Sequence, residues 1–169
     1  MKLNYETFET KLGPMIVIAK DDHIIRLDFG DLKAVLEKAD RWFKQYFGEV
    51  TFIHENKVTK EVRKQITEYF AEKRKHFTVP YDLFGTPFQQ AVWETIEQKV
   101  SYGETCSYKN VGEYINNEKA VRAIGGALNK NPISIIIPCH RVISSTGSLT
   151  GYGGGLDKKA FLLELEHLS

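Results

Sequence analysis

The sequence predicts an α/β protein in two domains, a small α/β module over residues 1–83 and a mainly helical one over 84–169. Three observations point there. Short apolar runs punctuated by turn residues crowd the first thirty positions, as strands do. Two stretches with helical apolar spacing follow them. Beyond a loop-like boundary from Thr78-Val79-Pro80 to Gly85, the remaining pattern is dominated by helix starts and helix-spaced apolar residues.

In order along the chain, Tyr5–Glu9 and Met15–Lys20 are strand candidates separated by Gly13-Pro14. Asp21-Asp22 offers a tight turn into His23–Phe29, which makes an antiparallel meander. From Ala34 to Phe47, Leu36, Ala39, Trp42, Phe43 and Tyr46 share one side of a helix. Val50–His54 reads as a further strand, and Thr59–Lys73 as a helix burying Val62, Ile66, Tyr69 and Phe70. No catalytic constellation stands out in this half, so a supporting role is expected.

In the second half, Thr86 can cap a helix whose first position is Pro87, a favourable combination. Phe88, Val92, Ile96 and Val100 line one stripe of it. Ser107 can cap Tyr108–Ile115, Asn116-Asn117 turns the chain, and a second helix runs from Glu118 to Asn129. Two short helices around a tight polar turn make a helix-turn-helix pattern, although many helical hairpins bind nothing. The second helix is rich in small residues: Ala120, Ala123, Gly125, Gly126 and Ala127. Adjacent glycines cost about 1 kcal/mol each relative to alanine, so something must approach closely. A packed neighbouring helix or a nucleic-acid groove would each suffice. The segment Gly147–Leu156 is a glycine-dense loop without phosphate-loop spacing. Asp157 then caps a final helix, Lys158–His167.

Ile133-Ser134-Ile135-Ile136-Ile137 reads as a short buried strand ending at Pro138, which delivers Cys139 beside His140. On its own the pair fits a buried inert thiol with a surface histidine as well as a nucleophile with its base. Glu166, four residues after Leu162, leans toward the buried side of the last helix. It is either a solvated rim carboxylate or the group that orients His140.

Composition narrows the classes. The chain has 169 residues, 42% hydrophobic and 27% charged, with formal net charge +1. Nucleic-acid binding would therefore depend on local placement of charge. No apolar stretch is long enough for a membrane span, and Met1-Lys2-Leu3-Asn4-Tyr5-Glu6 is no signal peptide. The two cysteines, Cys106 and Cys139, suggest neither a disulfide framework nor a zinc site. A reducing cytosolic compartment is expected.

Taken together, Arg122-Ala123-Ile124-Gly125-Gly126-Ala127, Asn131-Pro132, Pro138-Cys139-His140-Arg141-Val142, Tyr152, Gly154-Gly155-Leu156 and Glu166 resemble the O6-alkylguanine-DNA alkyltransferases. The resemblance covers residues 86–167; the first half is similar more loosely, mainly at Leu12-Gly13-Pro14. It implies a ribonuclease-H-like first domain and a winged-helix-like helix-turn-helix in the second. It further implies Cys139 as alkyl acceptor, His140 as its base through a water, Glu166 as the imidazole's holder and Asn131 as the brace of the active-site turn. By the same resemblance Tyr108 and Arg122 rotate the nucleotide out of the helix. Arg122 enters the stack from a helix in the minor groove that also presents Ala123 and Gly126, and Tyr108 offers its phenol proton to guanine. Gln89, Lys109, Asn117 and Ser145 fall where the family meets the DNA backbone or the flipped nucleotide, and Val142, Tyr152 and Gly153 line the base pocket. The implied partner is double-stranded DNA carrying O6-alkylguanine, and O4-alkylthymine as a further substrate. No cofactor, metal or membrane is implied, and the protein is expected to be a monomer in the cytoplasm, or in the nucleus of a eukaryote. Some relatives bind zinc through cysteines of the first domain, and this chain has none before Cys106.

The chemistry constrains the outcome independently. Thiolate attack on the alkyl carbon expels guanine and leaves a thioether, which offers water no carbonyl to attack, so each molecule acts once. Two other readings compete with transfer: a Cys-His-Glu acyl-transfer enzyme, which would need an oxyanion hole and a helix starting at the cysteine, and a DNA-binding module without chemistry.

Overall fold

The computed structural model describes residues 1–147 and 151–168, and the chain divides into two compact units, Met1–Phe84 and Gly85–Ser169. In the first, β1 (Lys2–Thr10), β2 (Gly13–Lys20) and β3 (His23–Phe29) form the antiparallel meander. Its turns use Gly13 at φ +91° and Asp21 at φ +55°, a short polar residue that tolerates the left-handed region. Then come α1 (Leu32–Phe47) and β4 (Thr51–Ile53), and the sheet order is β3-β2-β1-β4. The sheet is mixed rather than purely antiparallel, because β4 pairs parallel to β1 through Leu3↔Phe52. Two hairpins leave β3 running with β1; α1 carries the chain back, so β4 enters in the same direction, a crossover that a parallel pair requires.

Met15–Ala19 are all fully buried, because the strand alternates between two covered faces. Ile16, Ile18 and Ile25 pack against Val35, Ala39, Phe43 and Phe47 of α1. The helix α2 (Lys57–Phe70) contacts β1, β2 and β3 and buries Val58, Val62, Ile66, Tyr69 and Phe70. It begins two residues before the predicted Thr59, since Asn56 and Thr59 close a capping box. Arg26 is buried with its charge met by both oxygens of Asp28 at 2.8 Å, and its guanidinium stacks 4.7 Å over Trp42.

The second unit packs α3 (Pro87–Lys99), α4 (Tyr108–Tyr114) and α5 (Val121–Asn129) together, and α6 (Leu156–Leu168) closes it. Thr86 and Ser107 cap α3 and α4 through reciprocal boxes with Gln89 and Asn110. The second helix of the hairpin starts at Val121, three residues after the predicted Glu118, because Asn116 turns at φ +58° and Ala120 closes onto Asn117. A Cβ on Gly112 would come within 3.1 Å of the Asn117 carbonyl, so this glycine lets the turn fold tightly onto α4. Trp93 ties α3 to α5 by donating from Nε1 to the Ala127 carbonyl at 2.8 Å. Asp157 lies in the first turn of α6 rather than at its cap.

Candidate active site

The segment between α5 and the cysteine is not a strand. Ile137 donates to the Ile133 carbonyl, Ile136 to Ser134 and Cys139 to Ile137, and Ile135 sits at φ +70°. This is a buried turn, with Ile133, Ile135 and Ile137 at most 1% exposed. An apolar run without alternation cannot distinguish the two, and Pro132 and Pro138 remove the N–H groups that a ladder would use. The turn holds because Asn131, itself buried, donates from Nδ2 to the Ile137 carbonyl at 2.8 Å and accepts from the Ile133 amide at 2.9 Å. Asn131→Ala strands both groups, so thermal denaturation is expected to show a loss of about 2–4 kcal/mol at roughly 1–2 kcal/mol per orphaned group. An unchanged melting temperature would refute the bracing role.

Cys139, His140 and Arg141 form a single 3₁₀ turn, after which β6 (Val142–Ile143) pairs parallel with β5 (Cys106–Ser107). The turn allows consecutive side chains to be buried in one site. Cys139 is 3% exposed, and burial holds its thiol protonated, well above the ordinary range; a hydrogen bond with Asn131 and the charge of Lys159 oppose that. The Cys106 thiol, pushed up to about 11 by burial, is similarly inert.

His140 and Glu166 have fully buried side chains and meet at 2.6 Å, Nε2 to Oε2. Arg141 donates to both oxygens of Glu166, at 2.7 and 3.2 Å, and to the Val100 carbonyl at 2.9 Å. Burial alone would raise the Glu166 carboxyl, but the hydrogen bonds and charges of His140 and Arg141 override it and hold the group down at about 2. Burial also depresses His140, which is therefore neutral. A neutral imidazole facing an ionised carboxylate must carry its proton on Nε2, leaving Nδ1 as a lone-pair acceptor. Nδ1 is buried and has no hydrogen-bond partner among the described residues.

Lys159 on α6 is fully buried, and its ammonium donates to the Val142 carbonyl at 2.6 Å and to Gly151 at 3.3 Å. It thereby joins the strand after the cysteine to the glycine loop. Neither Lys159 nor Arg141 was singled out as a site residue from sequence. The signal for Lys159 was its spacing: with Leu162 and Glu166 it occupies the i, i+3, i+7 stripe that faces inward.

Tyr108, at the start of α4, reaches the same loop: a Cβ on Gly151 would lie 3.9 Å from its hydroxyl, and one on Gly125 of α5 4.0 Å from its ring. The Tyr152 ring stands 6.5 Å from His140, nearly perpendicular. Gly153 abuts the end of α5, where a Cβ would come 2.9 Å from the Asn129 carbonyl, and Val142 is fully buried. Positions 148–150 of the glycine loop lie outside the described residues. Arg122, Ala123 and Gly126 are exposed on α5, and Lys109, Asn117 and Ser145 are exposed as well. Gln89 is half-buried with its carbonyl oxygen engaged by the Thr86 amide in the cap of α3. Among the described residues, nothing lies within 4 Å of where a Gly126 Cβ would be. A Cβ on Gly125 would make only ordinary contact with the Tyr108 ring, so internal packing among the described residues requires neither glycine.

Two family models divide the chain between them. Residues 3–83 match the ribonuclease-like domain of 6-O-methylguanine DNA methyltransferase, and residues 87–168 match its DNA-binding domain. The chain belongs to the 6-O-methylguanine DNA methyltransferase family. Methylated-DNA–protein-cysteine methyltransferase from Methanosarcina acetivorans is 39% identical across 96% of this chain and 97% of its own length. The constitutive Bacillus subtilis enzyme of the same name is also 39% identical, over 98% and 96%. Among solved structures, the Mycobacterium tuberculosis O6-methylguanine methyltransferase superposes with TM-score 0.81 at 36% identity, covering 98% of this chain and 93% of that one. The M. tuberculosis OGT in complex with DNA gives the same TM-score at 34% identity, with the same coverage. The name shared by the Methanosarcina acetivorans and Bacillus subtilis relatives specifies a protein cysteine as the methyl acceptor in them.

Proposed function

We propose that the protein repairs alkylated DNA by transferring the alkyl group from guanine O6, and from thymine O4, irreversibly to Cys139. The observation that carries this reading is the buried Nδ1 of a neutral His140 whose other nitrogen is fixed by Glu166. A thiol held protonated by burial needs such a base, acting through one water, at the moment of attack. The alternative acyl-transfer reading fits less well, because Cys139 opens a single 3₁₀ turn and no helix starts at it to supply an oxyanion hole.

The alkyl group is hidden inside the duplex, so the base is flipped at a cost of a few kcal/mol. Arg122, exposed on α5, fills the gap, with Ala123 and the open side of Gly126 lying against the minor groove. Tyr108 turns the nucleotide and protonates the departing guanine, while Val142, Tyr152 and Gly153 enclose it. Asn131 keeps the turn in place, and Gln89, Lys109, Asn117 and Ser145 contact the backbone or the flipped nucleotide. The protein acts as a monomer without cofactor. Its two free thiols suit the cytoplasm, or a eukaryotic nucleus.

Weighing the intact chain after incubation with a duplex containing one O6-methylguanine tests the proposal. A gain of one methyl group is expected, and no adduct overturns it; more than one equivalent of released product would mark a turnover hydrolase instead. Arg122→Ala is expected to slow repair of the duplex about ten- to hundredfold, since each 1.4 kcal/mol of lost flipping energy is tenfold. Free-base O6-methylguanine should react nearly as before, and equal losses on both substrates would remove the finger role.

A further inference from the structure

Charge in this chain is unevenly distributed. Residues 57–76 hold seven Lys and Arg against three Glu, a net +4, whereas the whole chain has only +1. Two of the three acidic residues are engaged by other groups: Glu61 accepts from Gln65 at 3.0 Å, and Glu68 is paired with Arg74 at 3.0 Å. Arg63 is occupied by Glu6. Lys57, Lys60 and Lys64 remain, exposed at i, i+3, i+7 and so on one face of α2, with no ion pair among the described residues. Acidic groups do neighbour this row: Glu61 is four residues after Lys57 and Glu68 four after Lys64 on the same helix, and Glu6 senses Lys60 electrostatically. The three Cα atoms span about 10 Å of helix axis, and the helix continues into the basic turn Lys73-Arg74-Lys75. Lys11 adds an ammonium at the same end, donating to the Phe70 carbonyl at 3.2 Å.

We infer that this face of α2 is a second DNA-contact surface, binding the phosphates of duplex DNA without regard to sequence or damage. A strand of duplex presents one phosphate per 3.4 Å of axis, so a row of this length meets about three. Three free ammoniums in line suit that polyanion. They do not suit a base-reading role, for which bidentate side chains are needed. The assignment rests on the reading of the chain as a DNA-binding protein. It adds to that reading a role for the first unit, in which no catalytic residue lies.

The test is the salt dependence of binding to an undamaged, labelled duplex, measured by anisotropy for the full chain and for the triple variant Lys57→Gln, Lys60→Gln, Lys64→Gln. Each phosphate contact contributes about 0.9 to the slope of log K against log salt, so the slope should fall by roughly 2–3 and affinity at low salt by at least about tenfold. Alkylation by free-base O6-methylguanine should be unchanged, because these residues lie outside the catalytic unit. The triple arginine variant should bind like the parent. Unchanged slope and affinity in the glutamine variant would overturn the proposal, as would equal loss in the arginine variant. Loss of binding to anionic vesicles with DNA binding intact would also overturn it, in favour of a membrane surface. If the parent chain takes up no alkyl group but the slope responds as stated, the transfer reading fails and the surface stands.

Discussion

Cys139→Ala is expected to abolish alkyl uptake completely while leaving affinity for undamaged duplex within about threefold. The substitution removes the only atom that can form the product bond. Cys106 is not expected to substitute: it lies on β5, paired with Val142 just past the 3₁₀ turn, and is not part of the Cys-His pair that the turn presents. Most of the local hold is independent of the sulfur: Asn131 donates to the Ile137 carbonyl and accepts from the Ile133 amide, and the Arg141 amide donates to the Pro138 carbonyl. Losing one buried sulfur costs about 1 kcal/mol or little more, so the variant should fold. Intact mass, followed by peptide mapping, provides the measurement. A methyl retained on the variant, or mapped to Cys106 in the parent, would disprove the assignment. Loss of duplex affinity by more than tenfold would instead show that the sulfur helps shape the DNA surface.

Glu166→Gln should produce the second-largest effect, on rate and on stability together. The carboxylate neutralises a buried guanidinium and fixes the imidazole tautomer at once. Its amide replacement leaves Arg141 uncompensated, a type of loss that costs about 3–5 kcal/mol. The amide also lets His140 present either nitrogen, so alkylation should slow by roughly a hundredfold or more. DNA affinity should be retained, because the exposed residues of α5 are elsewhere.

The pH dependence has a definite sign. A carboxyl held at about 2 in the fold, against an ordinary 4.5, contributes roughly 3 kcal/mol of stability above pH 4.5 and loses it as pH falls through 2. His140, depressed by burial, acts in the same direction below pH 6.5, because the unfolded chain takes up a proton that the folded chain refuses. Stability should therefore climb with pH across the acid range in the parent. In the variant the segment of the curve between pH 2 and 4.5 should flatten. A parallel curve merely shifted downward would mean that Glu166 is not the titrating group.

The first unit was largely legible from sequence because its signals are local: the turn residues Gly13 and Asp21, and the helical spacing of Val62, Ile66 and Tyr69. The direction of β4 was not, since strand pairing is decided by the number of preceding hairpins and by the return path of α1. The pairing of His140 with Glu166 could be anticipated because Glu166 shares its helix face with Leu162. The buried turn at 133–137 could not. Five largely β-branched residues favour a strand, and the deciding interaction is a side chain outside the run, Asn131, which satisfies the backbone that a ladder would have satisfied. Lys159 escaped notice for a related reason: a lysine is ordinarily a surface residue, and only the tertiary setting reveals that its ammonium ends against two carbonyls.

The protonated, 3% exposed state of Cys139 carries a further consequence. A protein that reacts once must survive storage in a cell full of electrophiles and oxidants without spending its single chance. A surface thiolate would be consumed by them, since reactivity follows the thiolate fraction and access. Burial makes the resting protein durable; on the proposed mechanism the adjacent base supplies reactivity only after a nucleotide has entered. The acceptor's unreactive resting state is thus its safety catch.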